Sequence, residues 1–122
     1  MDRYIIAIYL RLSVEDKRVE SMSIESQRLL LRKYAEALGD NVEIIEYVDN
    51  GYSGTNLERP AVQRLLNDVK AYRVNCILVK DFSRFGRNSI EVGYFTQQIF
   101  PLFGVRFISV SDNYDSNEHK GD

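Results

Sequence analysis
Ile5-Ile6-Ala7-Ile8-Tyr9-Leu10-Arg11-Leu12-Ser13 is the stretch whose reading decides the fold. Its apolar, β-branched opening reads as a buried strand over 4–12. Side chains alternate along a strand, so Ile8, Leu10 and Leu12 share one face and Tyr9, Arg11 and Ser13 the other. A guanidinium and a hydroxyl therefore meet at the carboxyl end of a first strand, where open parallel sheets place their sites. Taken alone, the segment reads more simply as a strand end with a solvated Arg and a Ser opening a loop.

Downstream, strands and helices alternate. Residues 14–22 form a charged loop, and a helix is expected over 23–38 with Ser23 as N-cap and Gly39 as stop. Its inner stripe is Ile24, Gln27, Leu31, Tyr34, Ala35 and Leu38, with Gln27 the polar exception. A second strand covers 42–48. A flexible loop with Gly51 and Gly54 follows, lacking the Lys-Ser/Thr ending of a nucleotide-binding loop. Pro60 suits the first position of the next helix and places Arg59 at its entrance. Val62, Leu65, Leu66, Val69 and Tyr72 give that helix its buried stripe. A third strand runs over 76–79. Asn88 with Glu91 resembles a capping box, opening a helix that ends before Pro101. A fourth strand lies within 103–110, and the tail from Ser111 shows no core-forming pattern. This alternation predicts an α/β fold, a mostly parallel sheet of four to five strands with helices on both faces.

The length of 122 residues suits one domain able to bury a core without staples. The 44% hydrophobic and 28% charged content is that of an ordinary globular domain. Cys76, the single cysteine, sits in an apolar strand and excludes an intrachain disulfide or a cysteine metal cluster. No apolar run approaches a membrane span and the N-terminus has no signal-peptide pattern, so a cytoplasmic setting without membrane partners is expected. The net charge of −2 is unlike a DNA-binding domain, so any grip on DNA must come mainly from elsewhere in a larger protein.

In a parallel sheet the carboxyl ends share one edge. Arg11 and Ser13 follow strand one, the glycine loop and Arg59 follow strand two, and Arg84 and Arg87 follow strand three. A helical turn would set Arg84 and Arg87 side by side. Each pair alone reads as solvated charge, but four arginines at one edge suit an anion with several oxygens. The only histidine, His119, lies in the polar tail, so a Ser-His-Asp hydrolase is excluded. The carboxylates Glu15, Asp16, Asp49 and Asp81 show no metal-box spacing, and no metal or cofactor is expected. A serine hydroxyl among guanidiniums points to attack on a phosphodiester, with arginines stabilising charge on the phosphate oxygens.

Tyr9-x-Arg11-x-Ser13, Ser23-Ile24-Glu25-Ser26-Gln27, Asp49-Asn50-Gly51-x-Ser53-Gly54, Arg59-Pro60 and Ser83-Arg84-Phe85-Gly86-Arg87 occur in the order seen in serine recombinases. The chain resembles the N-terminal catalytic domain of the resolvase/invertase superfamily over 4–112. Its loop 49–60 and Lys80-Asp81-Phe82-Ser83-Arg84 are similar to the large, transposon-type members. The resemblance implies cutting and rejoining of DNA at paired crossover sites, without metal or ATP, by homodimers and homotetramers of the full-length protein. By motif match Ser13 is the nucleophile that forms a 5′-phosphoserine linkage. Arg11, Arg59, Arg84 and Arg87 are the phosphate-binding set, and Tyr9, Gln27, Asp49, Asp81 and Ser83 are supporting residues.

The motif departs from many small resolvases at Ser83, where they carry an Asp proposed as general acid. The nearest acid here is Asp81, and the general acid and base stay open. The family's long dimerisation helix is expected after the domain 1–112, so the tail 113–122 would be its truncated approach and the chain a catalytic fragment. Two other classes fit the anion site less well: a small α/β phosphatase or phosphotransferase, and a non-catalytic assembly module.

Overall fold
The structure is a computed structural model that describes residues 3–12 and 23–118. Ser13, the charged loop 14–22 and His119 lie outside the described residues. The elements run β1 (Tyr4–Leu12), α1 (Ile24–Glu36), β2 (Val42–Asn50), α2 (Pro60–Lys70), β3 (Cys76–Val79), α3 (Phe82–Phe85), α4 (Ser89–Tyr94), a π turn (Phe95–Ile99), α5 (Phe100–Leu102), β4 (Arg106–Ser109) and β5 (Tyr114–Asp115). The sheet order is β2-β1-β3-β4-β5. The first four strands are parallel and β5 is antiparallel to β4. This is the expected α/β architecture.

The chain steps from β1 outward to β2, then back across β1 to β3. Right-handed crossovers in opposite directions put α1 and α2 on opposite faces of the sheet. On the α1 face, Ile6, Ile8, Leu10, Cys76, Leu78 and Ile108 pack against Leu31 and Ala35. On the other face, Ala7, Tyr9, Ile77 and Phe107 meet α2 and the aromatic cluster of Phe85 and Phe100. The strand order reverses between β1 and β3, and their carboxyl ends border the crevice where such sheets bind ligands.

Local chemistry explains the helix starts. Ser23 Oγ accepts from Ser26 N–H at 3.1 Å, capping α1. Pro60 occupies the first position of α2, as its missing N–H and fixed φ favour. Asn88 Oδ1 accepts from Ile90 N–H and Glu91 N–H, both at 3.1 Å, capping α4.

Four expectations are corrected. Tyr72 is 72% exposed, not part of the α2 stripe. It follows the C-cap Ala71 at φ 59°, where its N–H donates to Val69 O and Arg73 N–H donates to Asp68 O. This terminating turn swings the ring off the buried face. Tyr34, placed on the inner stripe of α1, is 37% exposed. Helical backbone continues through Pro101 instead of stopping before it. The preceding π turn, with Phe100 N–H bonded to Phe95 O, widens the backbone where the proline ring would clash with a carbonyl one turn back. Finally, the sheet extends past Asp112. Asp115 accepts two bonds from Arg106, and Phe107 N–H donates to Ser116 Oγ at 2.9 Å.

Candidate active site
Arg11 stands where β1 outruns β3. β3 pairs with β1 only as far as Tyr9↔Val79, whereas β2 continues to Leu12↔Asn50. Gln27 takes over the missing neighbour's role. Its Oε1 accepts from Arg11 N–H at 3.4 Å and its Nε2 donates to Arg11 O at 3.1 Å. The polar exception in the α1 stripe is thus a fully buried stand-in for a strand, satisfying backbone groups that burial would otherwise penalise.

The Arg11 side chain is also fully buried. Nε donates to Arg84 O at 3.0 Å, Nη1 to Tyr52 O at 2.9 Å and Nη2 to Ser83 O at 2.8 Å. The loop after β2 is therefore pinned onto the strand end, not left as an open glycine loop. Gly54 permits the approach: a Cβ there would lie 2.8 Å from Arg11 Nη2 and 3.2 Å from Arg87 Cγ.

Arg59, at the N-cap position of α2, reaches the loop before its helix, Tyr9 of β1, and the carbonyls of residues 84 and 85. Nε donates to Asn56 O at 3.0 Å, and Nη1 to Tyr9 Oη at 2.7 Å and Arg84 O at 3.2 Å. Nη2 donates to Phe85 O. With its side chain spent there, Arg59 gives α2 no cap. Asp49 supplies one from β2, accepting from Ala61 N–H at 2.9 Å and Val62 N–H at 3.1 Å. Pro60 has no N–H, so both remaining donors of the first turn are satisfied by one buried carboxylate at the positive end of the helix dipole. Asp49 also accepts from Tyr9 Oη at 2.7 Å. Burial, with Asp49 adding to it and Arg59 opposing, pushes the Tyr9 phenol well above its ordinary pKa. Tyr9 accordingly stays protonated and links Asp49 to Arg59.

The turn these arginines hold is α3. Asp81 caps it, with Oδ1 accepting from Ser83 Oγ at 2.8 Å and Arg84 N–H at 2.9 Å. Lys80 Nζ lies 3.4 Å and Arg84 Nη1 3.9 Å from Asp81 Oδ2. Burial alone would raise the Asp81 pKa. The bonds from Ser83 and Arg84 and the two positive charges outweigh it, and the carboxyl is held below its ordinary value.

Arg84 is 6% exposed, and its Nε is buried without a hydrogen-bond partner among the described residues. Arg87 is exposed, with its N–H donating to Gly54 O at 2.8 Å. The expected side-by-side helical arrangement of Arg84 and Arg87 is not formed. α3 ends at Phe85 and Gly86 is extended, with a prospective Cβ only 3.0 Å from Val92 Cγ2. The extended backbone at Gly86, where the missing Cβ lets Val92 pack close, ends the helix between the two arginines.

The strand ends thus bring together Tyr9, Arg11, Gln27, Asp49, Arg59, Ser83 and Arg84, with Asp81 capping the turn and Arg87 on its outer side. Sequence reasoning did not place Tyr52 and Gly54 in the arginine cradle; Gly54 stood out only as a loop glycine and as the end of the motif over 49–54. Among the described residues no group of three or more His, Cys, Asp or Glu is placed to hold a metal ion. No helix among them is long and apolar enough to cross a membrane.

The sequence model described as "Resolvase, N terminal domain" matches residues 6–122. The chain belongs to this family of serine-recombinase catalytic domains. It is similar to the N-terminal catalytic domain of TP901-1 integrase, with 36% identity and a TM-score of 0.80 over 93% of this chain and 82% of that one. It is also similar to a resolvase family site-specific recombinase from Streptococcus pneumoniae, with 31% identity and a TM-score of 0.76 over 97% of this chain and 79% of that one. A Bacillus subtilis protein named "Putative DNA recombinase" is 35% identical over 82 residues, which make up 67% of this chain. The matched stretch spans 16% of that relative's length.

Proposed function
We propose that this chain is the catalytic module, domain 1–112 with its following segment, of a site-specific DNA recombinase. In this reading Ser13 Oγ attacks the scissile phosphorus. A serine–phosphate ester forms to the 5′ side, the bond to the 3′ oxygen breaks, and that oxygen leaves with a proton as a 3′ hydroxyl. Reversal on an exchanged strand rejoins the DNA. The ester keeps the bond energy, so the chemistry calls for no ATP or metal. DNA at paired crossover sites and further copies of the protein, as dimers and tetramers, are the partners this reading requires.

The observation that carries the proposal is the gathering of Arg11, Arg59 and Arg84 at the carboxyl ends of β1 to β3, around one short turn, in a chain of this family. Arg84 and Arg87 carry the phosphate and leaving-group work, stabilising charge on oxygens as the bond breaks. Arg11 and Arg59 hold the turn that presents Arg84. Asp81 is structural: a carboxylate that caps a helix and is held ionised is a poor proton donor.

The test is covalent trapping. Full-length protein incubated with duplexes that carry its crossover site should give a protein–DNA adduct that survives denaturation. Ser13→Ala should abolish the adduct and leave DNA binding intact, and a chelator should change neither. An adduct from the Ser13→Ala protein would remove Ser13 as nucleophile.

A further inference from the structure
α3 has too few bonds of its own to hold its shape. It contains four residues and closes a single full turn, with Gly86 N–H bonded to Phe82 O at 2.9 Å. Yet it bears Arg84 and offers the carbonyls of residues 83–85 to Arg11 and Arg59. Asp81 secures its middle through Ser83 Oγ and Arg84 N–H. Its first residue is secured from the turn that follows β4. Phe82 N–H donates to Asp112 Oδ2 at 2.7 Å.

Asp112 is itself fixed. The buried Ser109 Oγ, at the end of β4, donates to the same Oδ2 at 2.6 Å. The exits of β3 and β4 run side by side, with Val110 N–H bonded to Val79 O at 3.0 Å and Ser111 N–H to Lys80 O at 2.8 Å. Phe82 stacks on Phe107 of β4, with ring centroids 5.9 Å apart. One carboxylate oxygen thus joins the β4 exit to the start of the turn that carries Arg84.

We infer that Asp112 is a positioning residue for the recombinase reaction, setting Arg84 through the Phe82 N–H; this role in the chemistry rests on the function proposed above. Hydrogen bonds to a charged acceptor are the stronger kind and fix direction. A small misplacement of a phosphate-holding guanidinium is costly to rate even when the fold survives.

The experiment uses the full-length protein and three variants. Asp112→Ala removes the acceptor, and adduct formation should fall about 100-fold, the scale set by an ångström of misplacement. Asp112→Asn keeps an oxygen for Phe82 N–H and should stay within about threefold of the parent. In an Arg84→Ala background, Asp112→Ala should cost nothing further, because the two act through one group. A general loss of fold would instead add to the Arg84→Ala defect and lower the thermal midpoint.

Amide hydrogen exchange, read without DNA, supplies the second arm. Exchange at Phe82 and Arg84 should rise in Asp112→Ala and not in Asp112→Asn. Unchanged exchange in Asp112→Ala overturns the brace, whatever the protein does to DNA. Raised exchange with undiminished adduct formation overturns the positioning role. If the parent protein itself forms no serine–DNA adduct, the functional reading fails and the role in chemistry fails with it, while exchange still reports on the brace.

Discussion
Two pairs of arginines stand at the same edge of the sheet and are used in opposite ways. Arg11 and Arg59 are 0% and 2% exposed and spend their donors on main-chain carbonyls and Tyr9. Arg84 keeps a buried Nε without a hydrogen-bond partner among the described residues, and Arg87 stands on the outer side of the turn. The difference follows from the backbone beneath each. Arg11 and Arg59 sit at the ends of long elements that aim their side chains inward. Arg84 and Arg87 sit on and after a four-residue helix whose position those same inward arginines determine. Identical side chains therefore divide into two struts, which hold main-chain carbonyls, and two that are carried on the turn so held, according to the rigidity of their support.

Breaking a strut should give the largest loss of stability. Arg11→Ala would take their donor from the carbonyls of Tyr52 and Ser83, leave Arg84 O with only its bond from Arg59, and empty a fully buried side-chain site; denaturant titration should read a loss of about 3 kcal/mol. Arg11→Lys should recover little of it, since an ammonium cannot reproduce the planar fork. An unchanged midpoint for Arg11→Ala would erase the distinction between the two pairs.

Asp49→Ala should come next, at about 2 kcal/mol, by uncapping Ala61 and Val62 and leaving the Tyr9 hydroxyl without its acceptor. Tyr9→Phe in the Asp49→Ala background should add less than it does alone, because the two groups share a bond; full additivity, measured by the same titration, would mean that the Tyr9–Asp49 bond contributes nothing.

Asp81→Asn keeps an oxygen for the cap but loses the charge that faces Lys80 and Arg84, and should cost up to about 1 kcal/mol at neutral pH. The pH dependence has a definite sign. The folded carboxyl is held below its ordinary value, so its ionised form stabilises the fold above the unfolded value near pH 4. That contribution is lost as pH falls through the folded value. The gap between parent and Asp81→Asn should therefore close in strong acid. A gap that widened there would assign Asp81 a protonated role in the folded state and reopen it as the acid.

Arg87→Ala should have the smallest effect on stability, within about 0.5 kcal/mol, as for other exposed positions. In the full-length protein it should nonetheless lower adduct formation about 100-fold or more. Loss of stability without loss of adduct would turn Arg87 into another strut.

Much of this was legible in the residues. The alternation from Ile5 to Leu12 placed Tyr9 and Arg11 together on one face, and that face is the one turned toward α2 and α3. Ser23, Pro60 and Asn88 announced their helices because capping chemistry is local. The errors fell where backbone geometry or a neighbouring strand, not the side-chain pattern, decided the outcome. β5 has two residues and no periodicity of its own; it exists because β4 has a free edge and Arg106 attracts Asp115. Tyr72 has the spacing of a core residue but lies one step past the helix end, at φ 59°. Pro101 has the look of a stop, yet a π turn accommodates it.

The sequence by itself determined the class of fold, the edge at which chemistry-bearing residues collect, and through its ordered motifs the family. Those properties rest on periods of two and of 3.6 residues and on caps reaching three positions, all of them short-range. Only the tertiary structure decided what each residue does at that edge. Arg11 reaches carbonyls 41 and 72 positions away, Gln27 serves a strand 16 positions back, and Asp112 braces a turn 30 positions earlier. The partners are main-chain groups that every residue type carries, so no side-chain pattern records them, and their selection waits until strands and helices have packed.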